Sequence, residues 1–482
     1  MIGKQQIVID AADFVRGMST SDELADGGFS PTTDAVNLTK LPGVLYAQAN
    51  SVNSDTDTRL AGNMIASSVD MNVTSPTERL LVDDTGLAYR YDGTKLDAAG
   101  IALTAAVNWA AGFTDLIVFA GEAYVSSKEK LTRWQNDNTI DAGTSWPFSF
   151  TNTTVPHPGL VYENQMYWGD KNLLLTQAAL GDTTAPTTVL TLSADQVIVA
   201  LGIDPGSGLM LISTTTALNI SDTFPGINKI HWYDGNSAKS SKVTVVDEMV
   251  LSFHSVGATV YVGFGDSLGY LSGSGIQFLR KLANVTLNEA QLPYKHKMTN
   301  IGNTLYVLDG AKILAFGEIL PGRKVPYYAW SNPVNSNKPT LICDVGSKKL
   351  GIGFATTKFY TFDTSSVATT GTMAFYTNRI SFPRPVYLRG ANLEYADSVT
   401  NNDNNRNLYY QTEDRVDFGD STAKLQIQGG TNLKNESGAG VYIIDNVVGF
   451  ADNKVRTVQL RYNTDTTNFG LRRIILYYDY AE

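Results

Sequence analysis

A short tag recurs along this chain: an aromatic or aliphatic strand ends in Asp-Gly, takes one to three small residues and restarts at lysine. It reads YDGTK at residues 91–95, YDGNSAK at 233–239 and LDGAK at 308–312. Asp-Gly is a strong hairpin signal, because a type I′ turn needs positive φ at both central residues and glycine accepts that without steric cost. The tags therefore predict a series of antiparallel hairpins. They sit inside or beside near-copies of one longer phrase, an alternating strand, a turn and a second alternating strand. Residues 80–93, 116–134, 159–175, 298–316 and 350–363 all fit it. Fixed-phrase repetition of short meanders is the signature of radial repeat architectures, above all the β-propeller. Two β-sandwiches built from ordinary hairpins are the alternative; shared pattern and turn chemistry favour the propeller. Blades of ~40–50 residues would number six or seven.

Length and composition agree with an all-β class. At 482 residues the chain exceeds what one core supports, so two or more packed units are expected. Only 17% of residues are charged, and Thr, Ser, Asn, Gly and Tyr fill the polar positions, as on a β-rich surface. The formal net charge of −10 lacks the basic footprint of a nucleic-acid binder. Cys343 is the only cysteine, which excludes an intramolecular disulfide, and its setting in LICDV predicts a buried thiol. The opening MIGKQQIVIDAADF reads as neither signal peptide nor membrane anchor, and no window approaches the ~18 uninterrupted apolar residues a spanning helix needs. The expectation is a soluble protein folded in a reducing cytoplasm.

Three regions follow. Residues 1–54 form an extended N-terminal arm with one strand-like run, isolated hydrophobic anchors and Gly/Pro punctuation; such a segment must lie on its own body or on a neighbouring subunit. Residues 55–368 carry the meander phrases and form the β-propeller-like domain. Residues 369–482 change to longer alternating strands at short spacing, which read as a C-terminal β-sandwich.

The search for chemistry returns mostly negatives. His157, His231, His254 and His296 are not at HxxxH or HExxH spacing, and each reads as structural or exposed. No GxSxG elbow or P-loop occurs, and the glycine run at 263–275 reads as hairpin turns. Asp55 with Asp57, Asp83 with Asp84, and Asp403 are the candidate ligands for a hard cation; turn chemistry explains each one better. A propeller glycosidase would need two carboxylates at defined separation, for which Asp247, Glu248 and Glu394 are the candidates. The profile is that of a structural assembly subunit, not an enzyme, with no cofactor and no metal.

The lead-in DGGFSPTTDAVNLTKLPGVLY, running Gly-Gly, Asn-Leu and Pro-Gly-x-Leu into the first meander, resembles the start of tailed-bacteriophage neck and tail-nozzle proteins. The region after FPRPVYLRGANLEY is similar in style to their C-terminal sandwich, and those proteins carry meanders of the same kind. The chain is shorter than short-tail nozzle proteins, which implies a reduced nozzle or another tail ring component. The resemblance implies a virion protein, made in the host cytoplasm, that forms a homo-oligomeric ring beside portal, adaptor and other tail proteins. DNA would pass through such a ring without specific binding, and a negative wall suits that passage. Heterologous interfaces close rings, and an extended arm can wrap a neighbour. The arm candidates are Asp26, Gly27, Gly28, Phe29 and Ser30 as its turn, with Leu38, Pro42 and Leu45 as anchors. Two other readings stay open: a host-surface glycan-binding tail protein using loops 400–406 or 429–440, and the propeller glycosidase.

Overall fold

The structure, a computed structural model, describes residues 5–10, 17–18, 28–31, 36–37, 46–47, 53–55, 60–68, 79–92, 96, 100–103, 114–134, 148–177, 185–216, 226–264, 267–273, 275–282, 294–310, 312–320, 323–331, 339–354, 358–364, 373–377, 379–395, 406–412, 424–426, 433–435, 441–444, 454–464 and 471–481. The chain forms two compact units. One holds residues 53–311 and 335–362, the other residues 1–52, 312–334 and 363–482.

The first unit is a β-propeller. Its chain winds through seven sheets whose innermost strands are Met64–Ser67, Leu116–Phe119, Gly159–Tyr162, Val197–Ile203, Ser252–Val256, Met298–Ile301 and Pro339–Asp344. From the second sheet onward each innermost strand packs on the next, and Pro339–Asp344 returns to Met64–Ser67. The first and second sheets meet through Ala66, Leu80 and Val82 against Leu116, Ala123 and Val125. The ring is therefore closed. Sheet six contributes Met298–Ile301 and Thr304–Asp309 to this unit.

Period-2 alternation explains how these strands bury both faces. In Arg79–Asp83, Leu80 and Val82 point to the core shared with the second sheet, whereas Leu81 points to the core shared with the seventh. Likewise Ala123 and Val125 face one neighbour and Tyr124 the other. A blade held between two neighbours needs apolar residues on both sides, which is why Val197–Ile203 and Met210–Thr215 are almost wholly buried.

Ring closure comes from the other end of the sequence. Asn53–Asp55 supplies the fourth strand of the seventh sheet, pairing antiparallel as Phe359↔Asp55, Tyr360↔Ser54 and Thr361↔Asn53.

The turn chemistry departs from expectation. At the second and third Asp-Gly tags glycine, and not the aspartate, has positive φ, +85° at Gly235 and +63° at Gly310; residues 93–95 of the first tag lie outside the described residues. Asp234 instead accepts the Asn236 and Ser237 N–H groups at 3.0 and 2.8 Å and the Ser237 hydroxyl, which holds a longer loop. Asp309 is the last residue of its strand. Two-residue turns with positive φ at both positions occur elsewhere, at Ala120–Gly121 and Glu163–Asn164.

The second unit is built around an 11-stranded sheet. Its longest strand, Ile380–Tyr395, pairs first with Val455–Thr464 and then, after a register shift between Ser381 and Val386, with Leu471–Tyr480. A strand that changes partners in this way is how chains turn the corner between packed layers. Val386, Leu388, Ala391 and Leu393 from this strand, with Val458, Leu460, Leu471, Ile474 and Leu476, form the buried set.

The arm lies on its own chain wherever it is described. Gln5–Asp10 pairs with Leu471–Tyr480 over six residues. Gly28–Pro31 pairs antiparallel with Met373–Tyr376 and parallel with Gly17–Met18. Of the arm candidates, Gly28, Phe29 and Ser30 fall in this strand, not in a turn; Asp26, Gly27, Leu38, Pro42 and Leu45 lie outside the described residues.

Candidate functional site

The innermost strands line an open pocket of about 290 Å³ at the centre of the propeller, formed from six of the seven sheets by residues that include Ser67, Leu116, Val161, His254, Met298 and Ile342. One turn of 3₁₀ helix, Tyr294–Lys297, leads into the sixth innermost strand and packs against the first, fifth and seventh. It carries Lys295 and His296 to Asp115, the residue before the second innermost strand.

Asp115 is fully buried, and each carboxylate oxygen is engaged. The Lys295 ammonium lies 3.1 Å from Oδ1 and 3.3 Å from Oδ2. Oδ1 also accepts the Leu116 N–H at 2.7 Å and faces His296 Nε2 at 3.1 Å; Oδ2 accepts the Gly159 N–H at 2.8 Å. Ser67 N–H points to His296 Nδ1 at 3.5 Å, which assigns the imidazole proton to Nε2, the nitrogen that donates to Asp115. Lys295 also donates to the Gly159 carbonyl at 3.2 Å. Gly159 is required here, since a Cβ would meet the Trp168 ring at 2.6 Å.

Burial alone would raise the Asp115 pKa. The Lys295 ammonium, His296 and the Gly159 N–H outweigh it and hold the carboxyl well below the usual carboxylate range. The group is a fixed anion at neutral pH. This turn thus ties the first, second, third and sixth sheets together by hydrogen bonds, of which those from Lys295 and those to Asp115 are charge-assisted.

Burial shifts other titratable groups of this region as well. Burial lowers the pKa of His254, whose Nε2 pairs with Asn300 Oδ1 at 2.8 Å, and brings Lys297 down to about 8. Burial pushes the Cys343 thiol up to about 12, and it sits 3.8 Å from the Gly351 carbonyl. The thiol is buried, as its apolar setting predicts. Near neutral pH the Cys343 thiol is neutral and the Asp115 carboxylate is ionised and fully bonded.

Burial also brings His231 down to about 4, with the nearby Lys229 charge acting the same way, and burial lowers His157. A histidine kept neutral in the fold contributes stability above its unfolded pKa of about 6.5. That contribution is lost as pH falls through the window from about 6.5 to about 4 for His231. The urea midpoint should therefore drop between pH 7 and pH 4.5, and His231→Gln should drop less over the same interval. Equal pH dependence in both proteins would contradict this assignment.

The carboxylates singled out in the sequence serve local structure. Asp83 Oδ1 accepts the N–H groups of Thr85 and Leu87 and the Thr85 hydroxyl, and Asp84 accepts the Asn63 backbone and amide N–H groups. Asp55 lies in the closing strand, whereas Asp57 and Asp403 lie outside the described residues. Ser267 donates to Glu248 at 3.3 Å, and Glu394 lies 3.3 Å from Arg473 in the second unit. Asp247 is exposed, and its backbone carbonyl accepts the Asn228 amide at 3.4 Å. Among the described residues no group of three or more His, Cys, Asp or Glu side chains is placed to hold a metal ion, and no helix is long and apolar enough to cross a membrane. The loops at 400–406 and 429–440 lie outside the described residues apart from Arg406 and Leu433–Asn435.

The trio of Asp115, Lys295 and His296 was not singled out in the sequence. Its one local signal is the basic run Lys295, His296, Lys297 directly before the meander phrase at 298–316.

No protein-family pattern and no curated protein matches the sequence. Solved structures similar to this chain include YCF48 from Cyanidioschyzon merolae, at 12% identity and TM-score 0.42, covering 64% of this chain and 97% of that one. Raptor from Chaetomium thermophilum matches at 11% identity and TM-score 0.45, covering 66% of this chain and 30% of Raptor. YCF48 bound to a D1 peptide matches at 10% identity and TM-score 0.43, covering 69% of this chain and 97% of that one.

Proposed function

We propose that this chain is a structural subunit of a tailed-bacteriophage neck or tail nozzle, assembled as a homo-oligomeric ring next to portal, adaptor and other tail proteins. The observation that carries the reading is where the two stretches behind the resemblance fall. Gly28–Pro31, within DGGFSP, and Ile380–Tyr395, which contains FPRPVYLRGANLEY, belong to one sheet of one compact unit. In such an assembly the opening for DNA lies between subunits, because the propeller axis is crossed by the Lys295 and His296 turn. The net charge of −10 favours passage without binding. Fixed, internally neutralised polar groups on the axis suit a rigid building block rather than a catalyst. Light scattering and negative-stain microscopy of the purified chain, alone and mixed with virion neck components, test the reading. Closed rings with a central opening, or rings formed only on a portal complex, are expected; a persistent monomer that ignores those components would overturn it.

A further inference from the structure

We propose that the outer edges of the fourth and fifth propeller sheets form the surface on which a second copy of this chain docks. The inference rests on the ring reading above and names the contact that would build the ring.

The outermost strands of these sheets are Lys242–Val246 and Gly275–Lys281, and they lie next to each other. Of the other outer strands in this unit, Ile101–Ala102 and Phe148–Ser149 have two residues each, Asn53–Asp55 has three, and Thr187–Thr191 has five but carries no exposed large hydrophobic side chain. These two have five and seven. A long edge offers a row of backbone donors and acceptors for another chain, and soluble proteins protect such edges with charge or brevity. Here Lys242, Arg280 and Lys281 stand beside exposed apolar side chains. Val243 and Val245, two residues apart and so on one face, are 48% and 66% exposed, and Phe278 is 62% exposed. Ile227, at 54%, adds to the fourth sheet. Among the described residues, five of the eight exposed large hydrophobics, Ile227, Val243, Val245, Phe278 and Leu279, belong to these two sheets. Such a concentration marks an interaction surface.

Charge identifies the occupant. The two strands carry Lys242, Arg280 and Lys281 and no acidic residue, the first acids being Asp247 and Glu248 beyond the strand end. Lys242 rests its ammonium 4.2 Å from the centre of the Trp232 ring, which fixes one of these charges at the edge. A basic, apolar strip on a chain of net charge −10 is complementary to other faces of the same molecule. That is the arrangement of a heterologous contact, which closes into a ring.

The test uses the full-length chain in sedimentation velocity over a concentration series, at low and high salt, with and without neck components. The double variant Val245→Lys with Phe278→Lys should weaken self-association at least about ten-fold, the loss expected when a central apolar anchor is removed. Lys242→Glu with Lys281→Glu should weaken it too, and wild-type association should fall with salt. If the lysine variant unfolds at a lower temperature than the parent, Val245→Thr with Phe278→Thr keeps strand propensity while removing the apolar contact. Wild-type assembly that all these variants reproduce would overturn the docking surface and leave the ring reading intact. Variants that still self-associate but no longer join the portal complex would also overturn it, by assigning the edge to a different protein. A wild-type chain that stays monomeric under every condition would remove both.

Discussion

Asp115→Ala should destabilise the propeller by about 3–5 kcal/mol, the range found when one partner of a buried ion pair is removed. The loss is large because the substitution strands four donors together: the Lys295 ammonium, the His296 Nε2–H and the Leu116 and Gly159 N–H groups all point at one carboxylate. Asp115→Asn should cost less, since the amide oxygen still accepts one or two of these bonds. A second-site change, Lys295→Met, should recover part of the loss in the alanine background by removing the stranded charge. Urea unfolding followed by tryptophan fluorescence reads this directly, with Trp134, Trp168 and Trp232 all in the propeller cores. Midpoints that match the parent in all three variants would mean that the axial tie contributes nothing to stability.

Removing residues 1–55 should destabilise both units, by several kcal/mol in each, at about 1 kcal/mol for every backbone hydrogen bond lost. In the second unit the change strips Gln5–Asp10 from Leu471–Tyr480 and Gly28–Pro31 from Met373–Tyr376, uncovering long edges. In the propeller it removes Asn53–Asp55, the strand that joins the last sheet to the chain's beginning. A chain that starts at residue 51 separates the two effects: the propeller keeps its closing strand while the second unit loses the same pairings. Limited proteolysis combined with denaturant titration should show both units weakened in the first truncation and only the second unit weakened in the other. Propeller stability that is equal in the two truncations would show that Asn53–Asp55 is not a closing element. This dual role also bears on assembly, since the described arm strands already serve the subunit's own sheets.

Five of the seven propeller sheets were legible as repeats of one phrase, at residues 80–93, 116–134, 159–175, 298–316 and 350–363. They were legible because each blade must satisfy two neighbours with one alternating pattern, and that demand recurs with every blade. The fourth and fifth sheets escaped the phrase. In the fourth, VIVALGI and MLISTT are apolar on both faces and joined through an Asp204 turn, so alternation is hidden. In the fifth, the Val256–Thr259 turn uses Gly257 and Ala258 rather than a tag residue. Turn type was misread at the second Asp-Gly tag, because an aspartate carboxylate can cap the loop as well as its backbone can bend, and at Asp234 capping won.

Strand content, the meander repeat, the buried thiol of Cys343 and the lack of a spanning helix among the described residues follow from patterns a few residues long, which act wherever the segment sits. Closure and the axial tie do not. Asn53–Asp55 is a three-residue polar segment with no strand signal of its own, and it becomes a strand only because Lys358–Asp363 presents an open edge. Asp115 meets Lys295 across 180 residues of sequence, and the cost of burying that carboxylate is offset only once the ring brings the lysine, the histidine and the Gly159 N–H to it. Local patterning sets what each segment can be; contacts between distant segments, whose energy exists only in the closed ring, decide which of them meet.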